Sequence, residues 1–314
     1  SHYRRHHPSV ALQKGMDFRA TMTSGTGATG GYLTMPEQLQ TSLEVNMLAF
    51  GGMRQVAETI RTSTGEPLSW PTADDTSNTG SQVGETTDVS NSGAGGSDVT
   101  LGLQTWYSYD FSSNMILVPQ NLLRDNVFGL PSLLGQMLGE RLGRITNTRM
   151  TTGTGAATIT GIVISATTFS AASATAIAYD DVIKLEHSVD PAYRNMPGTG
   201  YMLHDGIWLA LRLLKDGQGQ YLWKSNEPAG MQDTLNSRPM TVNQDMASAV
   251  ASGAKTLLFG HLPSYKIRTV GQIQLVRLDE RYAEYRRVAF VAFTSEDGKL
   301  MSTATARVKV LTHP

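Results

Sequence analysis

Three histidines near the start of the sequence, His2, His6 and His7, are of a type that ligates metal ions. A specific site also needs a second layer of hydrogen bonds to hold its ligands, and this basic stretch has no apolar periodicity from which such order would come. Gly25-x-Gly27-x-x-Gly30 has the spacing of a dinucleotide-binding turn. That turn works only where a strand feeds the glycines and a helix N-terminus receives the pyrophosphate. Residues 19–24 carry no apolar run and Pro36 comes before any helix, so a linker is expected instead. His187, His204, His261 and His313 are scattered, none falls in a His-Glu-x-x-His pattern, and no Gly-x-Ser-x-Gly elbow is present. They are expected as surface or packing histidines. Asp74-Asp75 and Asp180-Asp181 are adjacent acids whose side chains diverge in a strand or helix, so the first pair is expected in a loop and the second as a helix cap. No catalytic set, cofactor site or metal site is expected.

The elements around these residues point away from an enzyme as well. The chain has 314 residues, a net charge of -1, 31 glycines and only 7% aromatic residues. That length supports a sizeable core, and the near-neutral charge argues against a surface built for tight nucleic-acid binding. There is no cysteine, which excludes disulfides and thiolate metal sites and fits a reducing cytoplasm. No run approaches 18 apolar residues and the first residues lack the apolar core of a secretory leader, so neither a membrane span nor a signal peptide is expected.

Residues 1–31 combine a basic cluster containing Arg4 and Arg5 with a Ser/Thr/Gly stretch and should form an extended arm. A helix is predicted from Pro36 through Leu39, Leu43, Met47 and Phe50, ending at Gly51-Gly52. Between Arg61 and Arg124 there is no lysine or arginine, whereas Glu66, Asp74, Asp75, Glu85, Asp88, Asp98 and Asp110 all lie there. The return limb of this acidic insertion alternates, placing Val99, Leu101, Leu103, Tyr107, Tyr109 and Phe111 on one face of a long hairpin. Its polar tip cannot bury that stripe, so the stripe needs another surface, such as a second chain.

Residues 131–150 form the clearest helix, with Leu134, Met137, Leu138, Arg141, Leu142 and Ile145 at three- and four-residue spacing. Gly135, Gly139 and Gly143 share one stripe of it, which suggests close approach by another backbone or a helix that bends, although simple tolerance is an alternative. Two helices are expected beyond the polar segment 151–176, one capped by Asp180 or Asp181 with Ile183, Leu185 and Val189 inward, the other capped by Asp205 and running to Gly217. Strands are expected at about 221–223, 240–243, 256–259, 265–270 and 273–278, with 286–293 and 300–311 flanking a Glu296-Asp297-Gly298 turn. Helices and strands mix without regular alternation, so the class is α+β.

Several phrases stand in a fixed order: Gly30-Gly31-Tyr32-Leu33 with Pro36-Glu37, Leu117-Val118-Pro119 before Leu122-Leu123, Gly153-Thr154-Gly155, Tyr179-Asp180-Asp181, Leu213-Leu214-Lys215-Asp216 with Gly219-Gln220-Tyr221-Leu222-Trp223, and Leu258-Phe259-Gly260. Their joint order over Gly30 to Leu311 resembles the HK97-like major capsid proteins of tailed phages. Val288 to Phe293, Asp297-Gly298-Lys299 and Val308 to Leu311 look like that family's closing hairpin. The resemblance implies an N-arm at 1–31 and an extended E-loop hairpin at 61–115. It implies a peripheral domain from 32–60, 116–178 with a long spine helix, and 280–314, and an axial domain at 179–279. Function would then be self-assembly into an icosahedral shell around double-stranded DNA. The implied partners are many copies of itself in hexamers and pentamers, the portal, and scaffold or decoration proteins. The place would be the virion, after assembly in the host bacterial cytoplasm, and an N-terminal segment is often cleaved in this family, which would account for Ser1.

The intersubunit residues expected on this basis are the E-loop acids Glu85 and Asp88, the spine residues Gly135, Gly139, Gly143, Arg141, Arg144 and Arg149, and Arg4 and Arg5 of the arm, which would meet acidic protein surface or DNA. The founding member cross-links an E-loop lysine to a neighbour's asparagine, but this E-loop has no lysine, so the shell is expected to be non-covalent. Arg307 departs from the family's apolar pattern in the last strand. An encapsulin-type cellular compartment is the alternative of the same fold, and an α+β enzyme the alternative of another class.

Overall fold

The computed structural model describes residues 52–74, 85, 100–124, 130–222, 234–301 and 306–314. The expected arm with Arg4 and Arg5, the helix from Pro36 to Phe50, Val99, Asp88 and Trp223 lie outside them.

In chain order the described strands are β1 (Glu58–Thr62), β2 (Leu68–Asp74), β3 (Thr100–Trp106), β4 (Tyr109–Ser112) and β5 (Ile116–Pro119). They continue with β6 (Thr167–Ser170), β7 (Thr199–Leu203), β8 (Thr234–Leu235) and β9 (Arg238–Val242). The last four are β10 (Lys255–His261), β11 (Tyr265–Leu278), β12 (Arg287–Leu300) and β13 (Val308–Thr312). They make a five-stranded sheet ordered β1-β11-β12-β4 with β5 also on β12, a six-stranded sheet ordered β6-β13-β10-β7-β9-β8, and the two-stranded hairpin β2-β3. The mixture of sheets and helices is the expected α+β class.

The long helix forms at Leu130–Thr152. Leu134, Leu138, Leu142 and Met150 are buried along it at i, i+4 spacing, which is the stripe that must face a core. Met137, at the next register, is 44% exposed instead of inward. Behind it the six-stranded sheet packs on the helices Tyr179–Ser188 and Asp205–Arg212 around Val182, Leu185, Tyr201, Trp208, Leu257 and Phe259.

Several expectations are corrected. Gly52 opens a helix of its own, Gly52–Val56, while the helix expected before it lies outside the described residues; a Cβ on Gly52 would lie 3.1 Å from the Val242 carbonyl oxygen. The first of the two later helices has Ala178 at its N-cap, and Asp181 sits inside its first turn, accepting from the backbone N–H groups of Ala172 and Ala178. Ile183 points outward, because Val182 and Leu185 occupy the buried face. The second helix is capped by His204, whose Nδ1 accepts from the Gly206 N–H at 2.9 Å, and ends at Arg212. Around Tyr221 there is a single bridge to Lys215 in place of a strand. Residues 265–278 are one strand, interrupted only by a register shift between Val270 and Gln274 where Gly271 takes a positive φ.

The largest correction is at Glu296-Asp297-Gly298, where no turn forms. Strand β12 runs straight through, pairing these residues with Thr269, Arg268 and Ile267, and the closing hairpin is replaced by β12 in the first sheet and β13 in the second. Residue 307 precedes β13, and its guanidinium lies over the Tyr193 ring at 5.0 Å, which gives this arginine the place that an apolar contact would fill.

Candidate assembly surface

The acidic insertion does fold back as a hairpin, with β2 and β3 in register from Leu68↔Trp106 to Asp74↔Thr100. The pleat puts Pro71, Ala73, Leu101 and Leu103 on one face, and all four are exposed, Leu101 by 78% and Leu103 by 66%. The expected single stripe therefore divides. Phe111 is buried in the body, whereas the leucines farther along are uncovered. On the other face Trp70 meets the buried Trp106 edge-on, with ring centroids 5.6 Å apart.

The hairpin root is held by two charged residues that are almost fully buried, Arg268, to which no motif pointed, and Asp297, expected in a turn. Arg268, on β11, is 2% exposed. Its Nε donates to the Thr62 hydroxyl at 3.1 Å, one terminal nitrogen to the carbonyls of Trp106 and Tyr107 at 3.2 and 3.3 Å, and the other to those of Thr64 and Glu66 at 2.8 and 2.7 Å. All five guanidinium N–H groups are thus used, three on the outgoing limb and two on the returning one. Across the strand pair Asp297 accepts from the Tyr107 N–H and from its neighbour Gly298, both at 2.8 Å. Burial pushes the Asp297 carboxyl up, and the two N–H donors and the Lys299 and Arg268 charges hold it partly back. Lys299 donates to the Thr105 carbonyl at 2.5 Å.

Alternation along β12 sends the residues beside Asp297 the other way. Glu296 pairs with Arg54, which also reaches the Thr146 hydroxyl of the long helix at 3.4 Å. Gly298 leaves space for Tyr265, whose hydroxyl crosses beneath it to the Thr160 carbonyl at 2.9 Å. A second polar cluster ties the end of the long helix to the six-stranded sheet. Asn147 donates to the Asn243 side chain at 2.9 Å, Asn243 donates to the Thr151 hydroxyl at 2.9 Å, and the Asn243 N–H reaches the Leu203 carbonyl at 2.8 Å.

The expected intersubunit residues are placed as follows. Gly135, Gly139 and Gly143 lie on the buried side of the long helix, and Arg141, Arg144 and Arg149 on its exposed side. Arg144 pairs with Glu140 of its own helix at 3.7 Å, and Arg149 lines an open groove of about 640 Å³ with Tyr109, Asp110 and Thr154. Glu85 is exposed in a turn. Of the described histidines, His313 is buried between the Thr256 hydroxyl at 2.9 Å and the Ser173 carbonyl at 2.7 Å, and His261 bonds Ser264 at 2.7 Å. Among the described residues no cluster of acids and histidines could hold a metal ion.

Comparison with known proteins bears on this arrangement directly. No curated protein matches the chain in sequence. Among solved structures it is similar to one described as the capsid of a native GTA particle, with a TM-score of 0.69 at 19% identity, covering 93% of this chain and 99% of that one. It is also similar to a structure from Mycobacterium phage Adephagia, with a TM-score of 0.62 at 15% identity, covering 84% and 90%, and to one from Gordonia phage Cozz, with a TM-score of 0.60 at 11% identity, covering 83% and 86%. The fold is thus the capsid fold expected from the sequence. The model of the phage capsid family matches residues 30–311, and with nearly the whole chain inside that match, this protein belongs to the phage capsid family.

Proposed function

We propose that this shell subunit acts without catalysis, closing as hexamers and pentamers of itself around double-stranded DNA in a tailed phage, after assembly in the bacterial cytoplasm with portal, scaffold or decoration proteins. In this reading the hairpin β2-β3 is an E-loop that lies on the next subunit. The five-stranded sheet and long helix form a peripheral body, and the six-stranded sheet an axial body. Strand β11 falls with the first and β13 with the second.

The observation that carries the reading is the bare apolar face of Pro71, Ala73, Leu101 and Leu103 on a hairpin otherwise fixed at its root. Covering two leucines contributes about 3 kcal/mol per contact, repeated at every subunit. The exposed Arg141, Arg144 and Arg149 supply cations for a loop bearing Glu85 and Asp88, and Arg4 and Arg5 supply cations for DNA or acidic protein surface. An insertion without lysine, in a chain without cysteine, leaves the contact non-covalent. Replacing Leu101 and Leu103 together by serine should leave subunit melting unchanged and cut particle yield, counted by electron microscopy, at least tenfold. Wild-type yield from that variant refutes hairpin docking, and a ladder of covalent oligomers from boiled wild-type particles refutes the non-covalent part.

A further inference from the structure

Arg268 spends every donor on the two limbs of one hairpin, four of them on backbone carbonyls. The acceptors span Thr62 to Glu66 on one side and Trp106 to Tyr107 on the other, the positions where the chain leaves the body and where it returns. Asp297, directly across from Arg268, holds the Tyr107 N–H, so the same residue is gripped at its carbonyl by one strand and at its N–H by the next.

We infer that Arg268, backed by Asp297, is the positioning residue of the hairpin: it sets the direction in which β2-β3 leaves the body and thereby the geometry of the contact between subunits. The inference rests on the reading that the hairpin docks on a neighbour. The hairpin ladder itself has its own hydrogen bonds and its own tryptophan pair, so its internal structure does not depend on the root. Its angle does. A planar fork fixes five acceptors in one plane, which a hinge made of backbone alone would not do. Lysine at this position keeps the charge but has three donors on a flexible stem, so at least two of the five acceptors lose their partner.

The test uses the full chain. In the unassembled Arg268→Lys subunit, hydrogen exchange at the root, residues 62–66 and 107–108, should rise at least tenfold, while exchange over the ladder at 100–105 and over 130–152 and 255–261 stays within twofold of wild type. Assembled particles should spread in diameter under electron microscopy. Thr62→Val, which removes one acceptor and keeps the shape, should raise root exchange about threefold, and it decides the matter if the lysine variant does not fold. Root exchange at the wild-type rate overturns the inference, and so does raised exchange with particles of uniform native diameter. Failure of hairpin docking itself is a separate result, visible as full particle yield from the Leu101→Ser/Leu103→Ser variant.

Discussion

Adding one methyl group at Gly298 should destabilise the subunit severely, for a reason unrelated to backbone freedom. A Cβ there would lie 2.3 Å from the Tyr265 hydroxyl oxygen and 2.9 Å from the ring carbon bearing it. Tyr265 is fully buried, and its hydroxyl is the partner of the Thr160 carbonyl, so the ring cannot withdraw without leaving that oxygen bare. Overpacking costs about 1 to 3 kcal/mol, and an orphaned buried carbonyl about 1 to 3 kcal/mol more. Alanine's better strand entropy returns only about 0.5 to 1 kcal/mol, so Gly298→Ala should lose roughly 1 to 5 kcal/mol. Urea unfolding of the unassembled subunit measures this, and a double-mutant cycle with Tyr265→Phe isolates the cause. The phenylalanine removes the closest atom, so the double variant should be less destabilised than the sum of the two singles by about 1 kcal/mol or more. Strict additivity, or a Gly298→Ala midpoint equal to wild type, would show that the crossing of Tyr265 beneath β12 is not what requires glycine.

Two other outcomes follow from the long helix and from the link between the sheets. A Gly135/Gly139/Gly143 triple alanine variant gains about 1 kcal/mol of helix propensity per site, yet places three methyl groups on the buried side, and it should form fewer particles or particles of altered size; normal particles would count against close packing there. Burial, together with the Arg307 and Lys266 charges and against the pull of the Pro197 carbonyl and Glu58, lowers the His261 pKa, so its neutral form is favoured in the fold. The unfolded chain then binds the proton first, and this contribution, complete above the ordinary value of 6.5, is lost as pH falls through the folded value. His261→Asn should therefore reduce the drop in melting temperature between pH 7 and mildly acidic buffer, and an unchanged drop would rule this histidine out.

The long helix and the hairpin were legible because both are written in side-chain periodicity: Leu134, Leu138 and Leu142 in one case, Leu101 and Leu103 in the other. Glu296-Asp297-Gly298 has the composition of a turn, yet each residue is there for a different partner, Arg54, Tyr107 and Tyr265, and none of those is near in sequence. Arg268 was illegible for a related reason. Four of its five acceptors are backbone carbonyls, which leave no mark on residue type. Its one trace in the sequence is a second charge, after Lys266, within the strand from Tyr265 to Val270. Met137 and Ile183 show the limit of helical spacing, since a three-residue step covers more of the helix than the core can use.

The pairing of β1 with β11 is parallel and joins residues 208 positions apart, Glu58 with Lys266. Strand β6 is likewise attached through β13, with Thr167 beside Lys309. Neither sheet can close from local contacts, and pairings of such sequence separation must overcome loop-closure entropy before any of them is rewarded. Folding on such a topology is slow, and until the sheet closes the apolar strands Leu257 to Phe259 and Val308 to Leu311 lack the partners they have in the fold. An unclosed sheet edge is open to pairing with another copy, so for a subunit needed in many copies the folding rate matters alongside the stability of the finished fold.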